Sequence, residues 1–546
     1  MEKSQIAEAN NNTQTLTLDA VVIGAGVAGL YQLHLLRAQG LKVKLFDTAS
    51  SVGGTWYWNR YPGAKFDSES YIYQYLFDEK LYKDWSWSER FPGQPEIERW
   101  MNYVADRLNL RKDIQFNTTI ASTHWDSGAS RWGVATTDGQ QIDAQFVVCC
   151  TGMLSAPLDE PFPGIKQFEG RVFHTARWPK EDIDFSDKRV GVVGNGATGI
   201  QVIQTIAPEC KNLKVFIRTP QYTNAMNNPQ YGPEEVEEYK SRFEWFQENL
   251  PKTFSGFEFS WQHGDWVDNT PEERLEILER MYENGSLELW LSSFKELFFD
   301  AKINAEVSEF VRNKMRVRLK DSDLCDLLIP KDYGFGLHRV PLESGYLEVF
   351  HLPHVSAIGV KENPIVGVTG TGIKLNDGTE YELDAIILAT GFDAGSGALT
   401  RIDIRGRDGR SLKLEWQEEI RTTMGLQVHG YPNMFMTGAP LAPAAALCNM
   451  TTCLQQQAEW INDCIAHVRG SGKGVIEPSE AVQDDWVKHH DETANETLVS
   501  KTHSWYMGSN VDGKPRRLLS YIGGVGNYRE KCLEVAESGY LGFEVK

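Results

Sequence analysis

Positive charge is what this sequence lacks most. Its 55 lysines and arginines face 75 aspartates and glutamates, a net charge of −20. That balance excludes the basic face that nucleic-acid binding needs. No apolar run approaches the ~20 residues of a membrane-spanning helix. The polar first fifteen residues hold no apolar leader core, so no secretory signal is expected. Eight cysteines occur without a Cys-x-x-Cys pair, and Cys149 and Cys150 are adjacent. This excludes a cysteine metal knuckle and suits reduced thiols in a cytoplasmic protein. No solenoid-length repeat and no long low-complexity tract is present, and no metal site is expected.

What is present is length and apolar material. The 546 residues suffice for two to four domains, and 41% of them are apolar. The valine-rich run Leu18 to Ile23 reads as a buried parallel strand. Gly24-Ala25-Gly26-Val27-Ala28-Gly29 follows, then a helical run to Gln39 closed by Gly40. A second strand, Lys42 to Phe46, ends at Asp47. Glycines at 24, 26 and 29 let the backbone approach a pyrophosphate, and the helix N-terminus stabilises its charge. An acid about twenty residues further on suits a ribose hydroxyl, which Asp47 supplies. Gly54, Thr55 and Trp56 open an aromatic stretch that runs to Pro62-Gly63.

The pattern recurs. Arg189 to Val193 reads as a strand, followed by Gly194-Asn195-Gly196-Ala197-Thr198-Gly199 and a helix to about Ala207. The next strand, Leu213 to Ile217, ends at Arg218-Thr219. A basic residue here suits a 2′-phosphate, because the planar guanidinium makes paired hydrogen bonds to phosphate oxygens. The first unit thus reads as an FAD site and the second as an NADP site. Residues 232 to 330 turn helical, with Thr270-Pro271-Glu272-Glu273 a capping box. Trp245, Trp290, Phe294 and Phe298 are expected to form the core there. Two strands end in Thr-Gly, at Thr151-Gly152 and Thr390-Gly391. The expected fold is α/β, with two Rossmann-like dinucleotide-binding domains and a helical insertion in the second. Residues 1–150 and 391–546 would form a discontinuous FAD domain that also supplies the substrate-pocket loops. Residues 151–390 would form the NADP domain, with the insertion at 226–334.

Between the two glycine loops lies Phe168-Glu-Gly-Arg-Val-Phe-His-Thr-Ala-Arg-Trp-Pro179. On composition alone it is a linker. Its pattern, carried by Phe168, Gly170, His174, Trp178 and Pro179, resembles the fingerprint of the Baeyer–Villiger monooxygenases. The resemblance extends over nearly the whole chain, through both glycine loops, Trp56 to Gly63 and Ser504-Trp505-Tyr506. It implies an enzyme in which NADPH reduces FAD, dioxygen adds to the flavin as a C4a-peroxide, and a ketone becomes an ester or lactone. Arg339 matches the catalytic arginine of the family, and Asp67 matches the carboxylate that holds it. Read from the residues alone, Asp67-Ser68-Glu69-Ser70 equally suits a helix cap. Trp505 matches a tryptophan over nicotinamide and substrate, and a core aromatic is the alternative. His174 and Trp178 look like residues that couple the domains.

The sequence departs from the family at three places. Lys65-Phe66 stand where Arg-Cys is common, and the alanine-rich loop 438–447 is longer than usual. His338 replaces a lysine that helps hold the 2′-phosphate. With an ordinary pKa of about 6.5, His338 would make the NADPH preference grow as pH falls from 8 to 6. A related flavin enzyme oxidising nitrogen or sulfur of soft nucleophiles is the alternative activity. A non-catalytic flavoprotein would show a broken NADP loop or no Arg339. A disulfide reductase would need a Cys-x-x-Cys or Cys-x4-Cys near the first unit, and none lies there. The expected partners are a small ketone and dioxygen, and the expected state is a monomer.

Overall fold

The valine-rich run becomes the strand Leu16–Ile23, whose last four residues are all buried. A strand buried on both faces belongs in the middle of a parallel sheet. It lies between Val43–Phe46 and Gln141–Cys149, both parallel to it. The structure is a computed structural model and describes residues 15–158, 161–261, 263–444 and 447–546. The polar residues 1–14 and Ala445 and Ala446 of the alanine-rich loop lie outside the described residues.

Among the described residues the first sheet has eight strands. Its parallel part draws on the N-terminal residues, and an antiparallel pair, Ile120–Asp126 and Arg131–Thr136, extends it. Two short strands come from late in the chain. Asp403–Arg405 pairs with Ile120–Asp126, and Met434–Met436 pairs with Gln141–Cys149. Helix Val27–Ala38 covers one face and packs on the long helix Met450–Gly470. The opposite face is closed by Trp125, Trp132, Leu412, Trp416 and Tyr431.

Among the described residues the second sheet has five parallel strands, in the order Val355–Gly359, Asn212–Ile217, Arg189–Val193, Ala385–Leu388, Arg171–His174. The stretch that composition reads as a linker is thus in part a sheet edge. A Cβ on Gly170 would sit 2.4 Å from the Asp384 carbonyl oxygen, so a larger residue would push that edge strand away.

Between Ala225 and Leu342, the described elements are helices, with Pro271–Asn284 and Ala301–Leu319 the longest. Thr270 caps the former by accepting from the Glu273 amide, as the capping box requires. Trp290, Phe294 and Phe298 are buried in this insertion. Trp245 is not core: it is 41% exposed, with the Arg242 guanidinium over its ring. Helical spacing placed it on the buried stripe, but Phe246 next to it takes the interior position at 0% exposure.

Candidate active site

Both glycine loops have the shape a pyrophosphate needs. Gly24 has φ +108, and a Cβ there would lie 2.4 Å from the Cys150 carbonyl oxygen. Gly54 has φ +54 and packs so closely that its Cβ would meet Gly26 Cα at 2.7 Å. Any side chain would therefore break this cradle at the start of helix Val27–Ala38. In the second loop a Cβ on Gly199 would strike the Gly194 carbonyl oxygen at 2.2 Å, whereas Gly196 faces open space. Thr198 lies in the first turn of helix Ala197–Ile206.

Asp47 ends its strand but points partly inward. Its carboxylate accepts from the Ala25 amide at 2.5 Å and the Ala49 amide at 2.7 Å. Burial raises its pKa, and these two amides hold it back. Asp47 thus ties the glycine loop to the strand end, at the place where a ribose would sit. Thr55 is exposed at the start of helix Thr55–Trp58. Trp56 is buried, and its indole nitrogen donates to the Tyr73 hydroxyl at 3.0 Å.

The chain then crosses toward the second unit. Tyr61 donates to the Gln201 side chain at 2.9 Å, and Gln201 returns a hydrogen bond to the Lys65 carbonyl at 2.8 Å. Gly63, at φ +79, sits on the same helix, where a Cβ would come within 2.1 Å of Thr205 Oγ1. This seat delivers Asp67 to Arg339, 272 residues away, and the two form an ion pair. Asp67 caps no helix. The next helical turn is the short Ser70–Ile72, preceded by Glu69 with no side-chain cap.

Arg339 is 20% exposed and Asp67 17%. Burial acts against the guanidinium charge, but the Asp67 carboxylate outweighs it and raises the Arg339 pKa. The guanidinium also lies over the Trp290 ring, 5.3 Å from its centroid. Trp290 is fixed in turn by an indole hydrogen bond to the Gly336 carbonyl at 2.9 Å. Tyr506 is buried close enough to feel both charges, and burial pushes its hydroxyl pKa up. Trp505, half-buried, packs edge-on against it with centroids 4.4 Å apart. Trp290 and Tyr506 are the site neighbours that sequence reading missed. Both look like ordinary core aromatics, and only the fold brings them to Arg339.

His338 faces other partners than Arg339 does. Its ring stacks on Tyr333 at 3.9 Å, and Tyr333 donates to the Pro220 carbonyl at 2.8 Å, next to Arg218-Thr219. The strand end with exposed Arg218 and half-buried Thr219 is therefore linked to His338 through one tyrosine. The pKa of His338 is not ordinary, since burial lowers it to about 4. The expected protonation between pH 8 and 6 does not occur in the free protein. Its Nε2 is buried with no hydrogen-bond partner among the described residues, an orphan that a bound ligand would satisfy. The cradles, the strand-end acid, the exposed arginine and this orphan fit one flavin dinucleotide and one nicotinamide dinucleotide.

Fingerprint residues sit around the second sheet. Phe168 packs beneath it, beside Ile165 and Ile386. His174 ends the edge strand and accepts from the Ala176 amide at 3.1 Å. Trp178, followed by half-buried Pro179, stacks on Phe173 with centroids 5.0 Å apart. One contact to the other glycine unit comes just after, where Lys180 reaches Ser50 at 3.3 Å and lies over the Tyr57 ring.

Residues 19–284 match the model of the flavin-binding monooxygenase-like family. An acetone monooxygenase (methyl acetate-forming) from Gordonia sp. (strain TY-5) is 65% identical over 97% of this chain and 99% of its own. A Baeyer–Villiger monooxygenase from Pseudooceanicola batsensis is 38% identical, covering 98% of this chain and 97% of its own. The crystal structure of "OTEMO" in complex with FAD and NADP superposes with a TM-score of 0.93 at 38% identity, over 97% of this chain and 99% of that one.

Proposed function

The chain belongs to the Baeyer–Villiger monooxygenases, and from that premise we propose that its substrate is a short open-chain ketone and that Arg339, held by Asp67, carries the oxygen insertion. The enzyme uses FAD and NADPH to place one oxygen atom from dioxygen beside a ketone carbonyl, giving an ester or lactone. Bound FAD supplies the redox chemistry, taking a hydride from NADPH and activating dioxygen. The rest falls to side chains.

The Arg339–Asp67 ion pair in a half-buried site supports this reading most directly. A guanidinium has five N–H donors and stays protonated at any working pH. Asp67 holds the guanidinium in place, and its positive charge would stabilise the oxyanion that forms on the attacked carbonyl. Donors already in place at a developing charge need no reorganisation during reaction. Asp67 and the Trp290 face fix the guanidinium plane, and Trp505 and Tyr506 limit water around it. Gly24, Gly26, Gly29, Asp47, Gly54, Thr55 and Trp56 would hold FAD. Gly194, Gly196, Thr198, Gly199, Arg218, Thr219 and His338 would hold NADPH, with Trp505 over the nicotinamide.

Sheet membership supports the domain division, since strands at 403–405 and 434–436 join the first sheet. Residues 1–150 and 391–546 then form the FAD domain, and 151–390 the NADP domain with its insertion at 226–334. Among the described residues no helix is long and apolar enough to cross a membrane. The cytoplasm suits the eight free cysteines, and a monomer is the assembly carried from the sequence, checked by light scattering.

The choice of a short ketone rests on the acetone monooxygenase named above, 65% identical along nearly its whole length. The test is NADPH consumption with acetone, butanone, cyclopentanone and cyclohexanone, each product identified by mass. Methyl acetate from acetone, at a kcat/KM above that for the cyclic ketones, is the expected result. Lactone formation with no acetone turnover would overturn the substrate assignment and leave the reaction class standing.

A further inference from the structure

Cys448 and Cys453 flank the start of helix Met450–Gly470, whose N-cap is Asn449. Both thiols are free, and both are buried, at 7% and 1% exposure. Their sulfurs lie 2.7 Å apart, with Cys453 donating to Cys448. Cys448 in turn donates to the Ala444 carbonyl at 3.2 Å. That carbonyl belongs to the alanine-rich loop, whose Ala444 amide is held by Ser520 at 3.1 Å. The Arg339 guanidinium is close enough to interact with Cys448. Cys448 also lines a small cavity, with Leu447, Ser520 and Tyr521, that has room for about one water-sized molecule.

We propose that Cys448 and Cys453 are a peroxide-oxidisable pair that closes into a disulfide and slows the enzyme when hydrogen peroxide accumulates. Cys448, the sulfur that accepts the hydrogen bond from Cys453 and lines the small cavity, is the attacking group. Burial pushes the Cys453 thiol pKa up and keeps it protonated until it is needed. In the first step Cys448 sulfur bonds to one peroxide oxygen, the O–O bond breaks, and the second oxygen leaves as water with the thiol proton. In the second step Cys453 sulfur bonds to Cys448 sulfur, the S–O bond breaks, and the hydroxyl leaves as water with the Cys453 proton. Two thiols and one hydrogen peroxide thus give one disulfide and two waters. Each sulfur is oxidised by one electron, and the peroxide is reduced.

Oxidation removes the proton that Cys448 gives to the Ala444 carbonyl, so the loop loses a tether beside Arg339. The inference rests on the monooxygenase reading only for the source of peroxide, which forms when NADPH and dioxygen are consumed without a ketone. Adding peroxide directly therefore separates a failure of the pair from a failure of that reading.

The test treats the FAD-loaded enzyme with stepped hydrogen peroxide, then follows ester formation and maps the cysteines by mass after alkylation in denaturant. The expected result is joint protection of Cys448 and Cys453 with loss of two hydrogens. Activity should fall roughly tenfold, within the ~10²-fold that a misplacement of 1 Å can cost. Dithiothreitol should restore both thiols and the activity. In Cys453→Ser, with Cys453→Ala as a second form should the hydroxyl impair folding, Cys448 has no partner; a second hydrogen peroxide should then carry its sulfenic acid to sulfinic acid with release of water, and the activity lost should not return with dithiothreitol. The proposal is overturned if the pair stays reduced at doses that oxidise the more exposed Cys325, or if the disulfide forms without a change in activity.

Discussion

In the proposed function the chemistry depends on Arg339 and Asp67, and the structure pairs Asp67 with Arg339 rather than with a helix end. As a cap, Asp67 would matter to stability; as the partner of Arg339, it matters to rate. No helix depends on it, and asparagine keeps the shape and an acceptor oxygen for Arg339, so Asp67→Asn should leave the melting temperature within a few degrees of wild type. Ester formation should fall by about 10²-fold, because a guanidinium released from its partner leaves its working position. Kinetics beside thermal melts decide the matter, and a mutant that melts early but keeps its rate per folded molecule would return Asp67 to a structural role. His338 carries a second prediction. Its pKa is about 4 in the folded protein, depressed by burial, against about 6.5 unfolded. A histidine with a depressed pKa favours the folded state above the unfolded pKa. That contribution is lost as pH falls from about 6.5 toward 4, where the unfolded chain binds the proton more readily. His338→Phe keeps a ring against Tyr333 and removes the titration, so the mutant should lose less stability over that window. For the same reason the NADPH-to-NADH ratio of kcat/KM should stay flat from pH 8 to 6.5. A ratio that climbs steadily in that range would show His338 titrating as an exposed imidazole.

At the scale of elements, the two glycine units were legible because strand, loop, helix and strand are local. The strand Arg189–Val193 falls where the sequence puts it, and Leu16–Ile23 differs from its expected start by two residues. The edge strand Arg171–His174 was not legible, since its partner Ala385–Leu388 lies more than two hundred residues away in the chain. Nor does spacing reveal how the C-terminal segment with Trp505 is docked. Lys514, only 5% exposed, bonds Asp393 and the Ala394 carbonyl, each at 2.6 Å. Asn510 adds a bond to the Phe392 carbonyl at 2.7 Å. These contacts hold the Trp505 segment to the stretch after Thr390-Gly391. Removing one partner of a buried ion pair leaves the other charge unpaired at a cost of about 3–5 kcal/mol, less here because Asp393 is 25% exposed. Asp393→Ala should therefore lower stability by about 2 kcal/mol, and adding Lys514→Met should recover part of the loss. Chemical denaturation of the FAD-loaded forms measures both. Equal stability of Asp393→Ala and wild type would show that the segment is held by its apolar contacts alone.

For the whole molecule, the glycine units are two copies of one idea joined so that a third site forms between them. Tyr61, Gly63 and Lys65 seat the flavin-side segment on helix Ala197–Ile206, and the Asp67–Arg339 pair closes the gap. The sequence showed each residue of that pair only through resemblance, because nothing in local spacing brings positions 67 and 339 together. Trp290 and Tyr506 complete the surroundings from two further regions, the helical insertion and the C-terminal segment. The central claim is that oxygen insertion depends on this assembled arginine while hydride transfer into the flavin does not. Arg339→Ala, supplied with NADPH, dioxygen and acetone, tests it most directly when NADPH consumed, methyl acetate formed and hydrogen peroxide released are measured in one vessel. The account predicts continued NADPH oxidation, hydrogen peroxide in place of ester, and methyl acetate reduced by at least about 10²–10³, the loss typical for one oxyanion-stabilising donor. Methyl acetate formed at the wild-type yield per NADPH would contradict it.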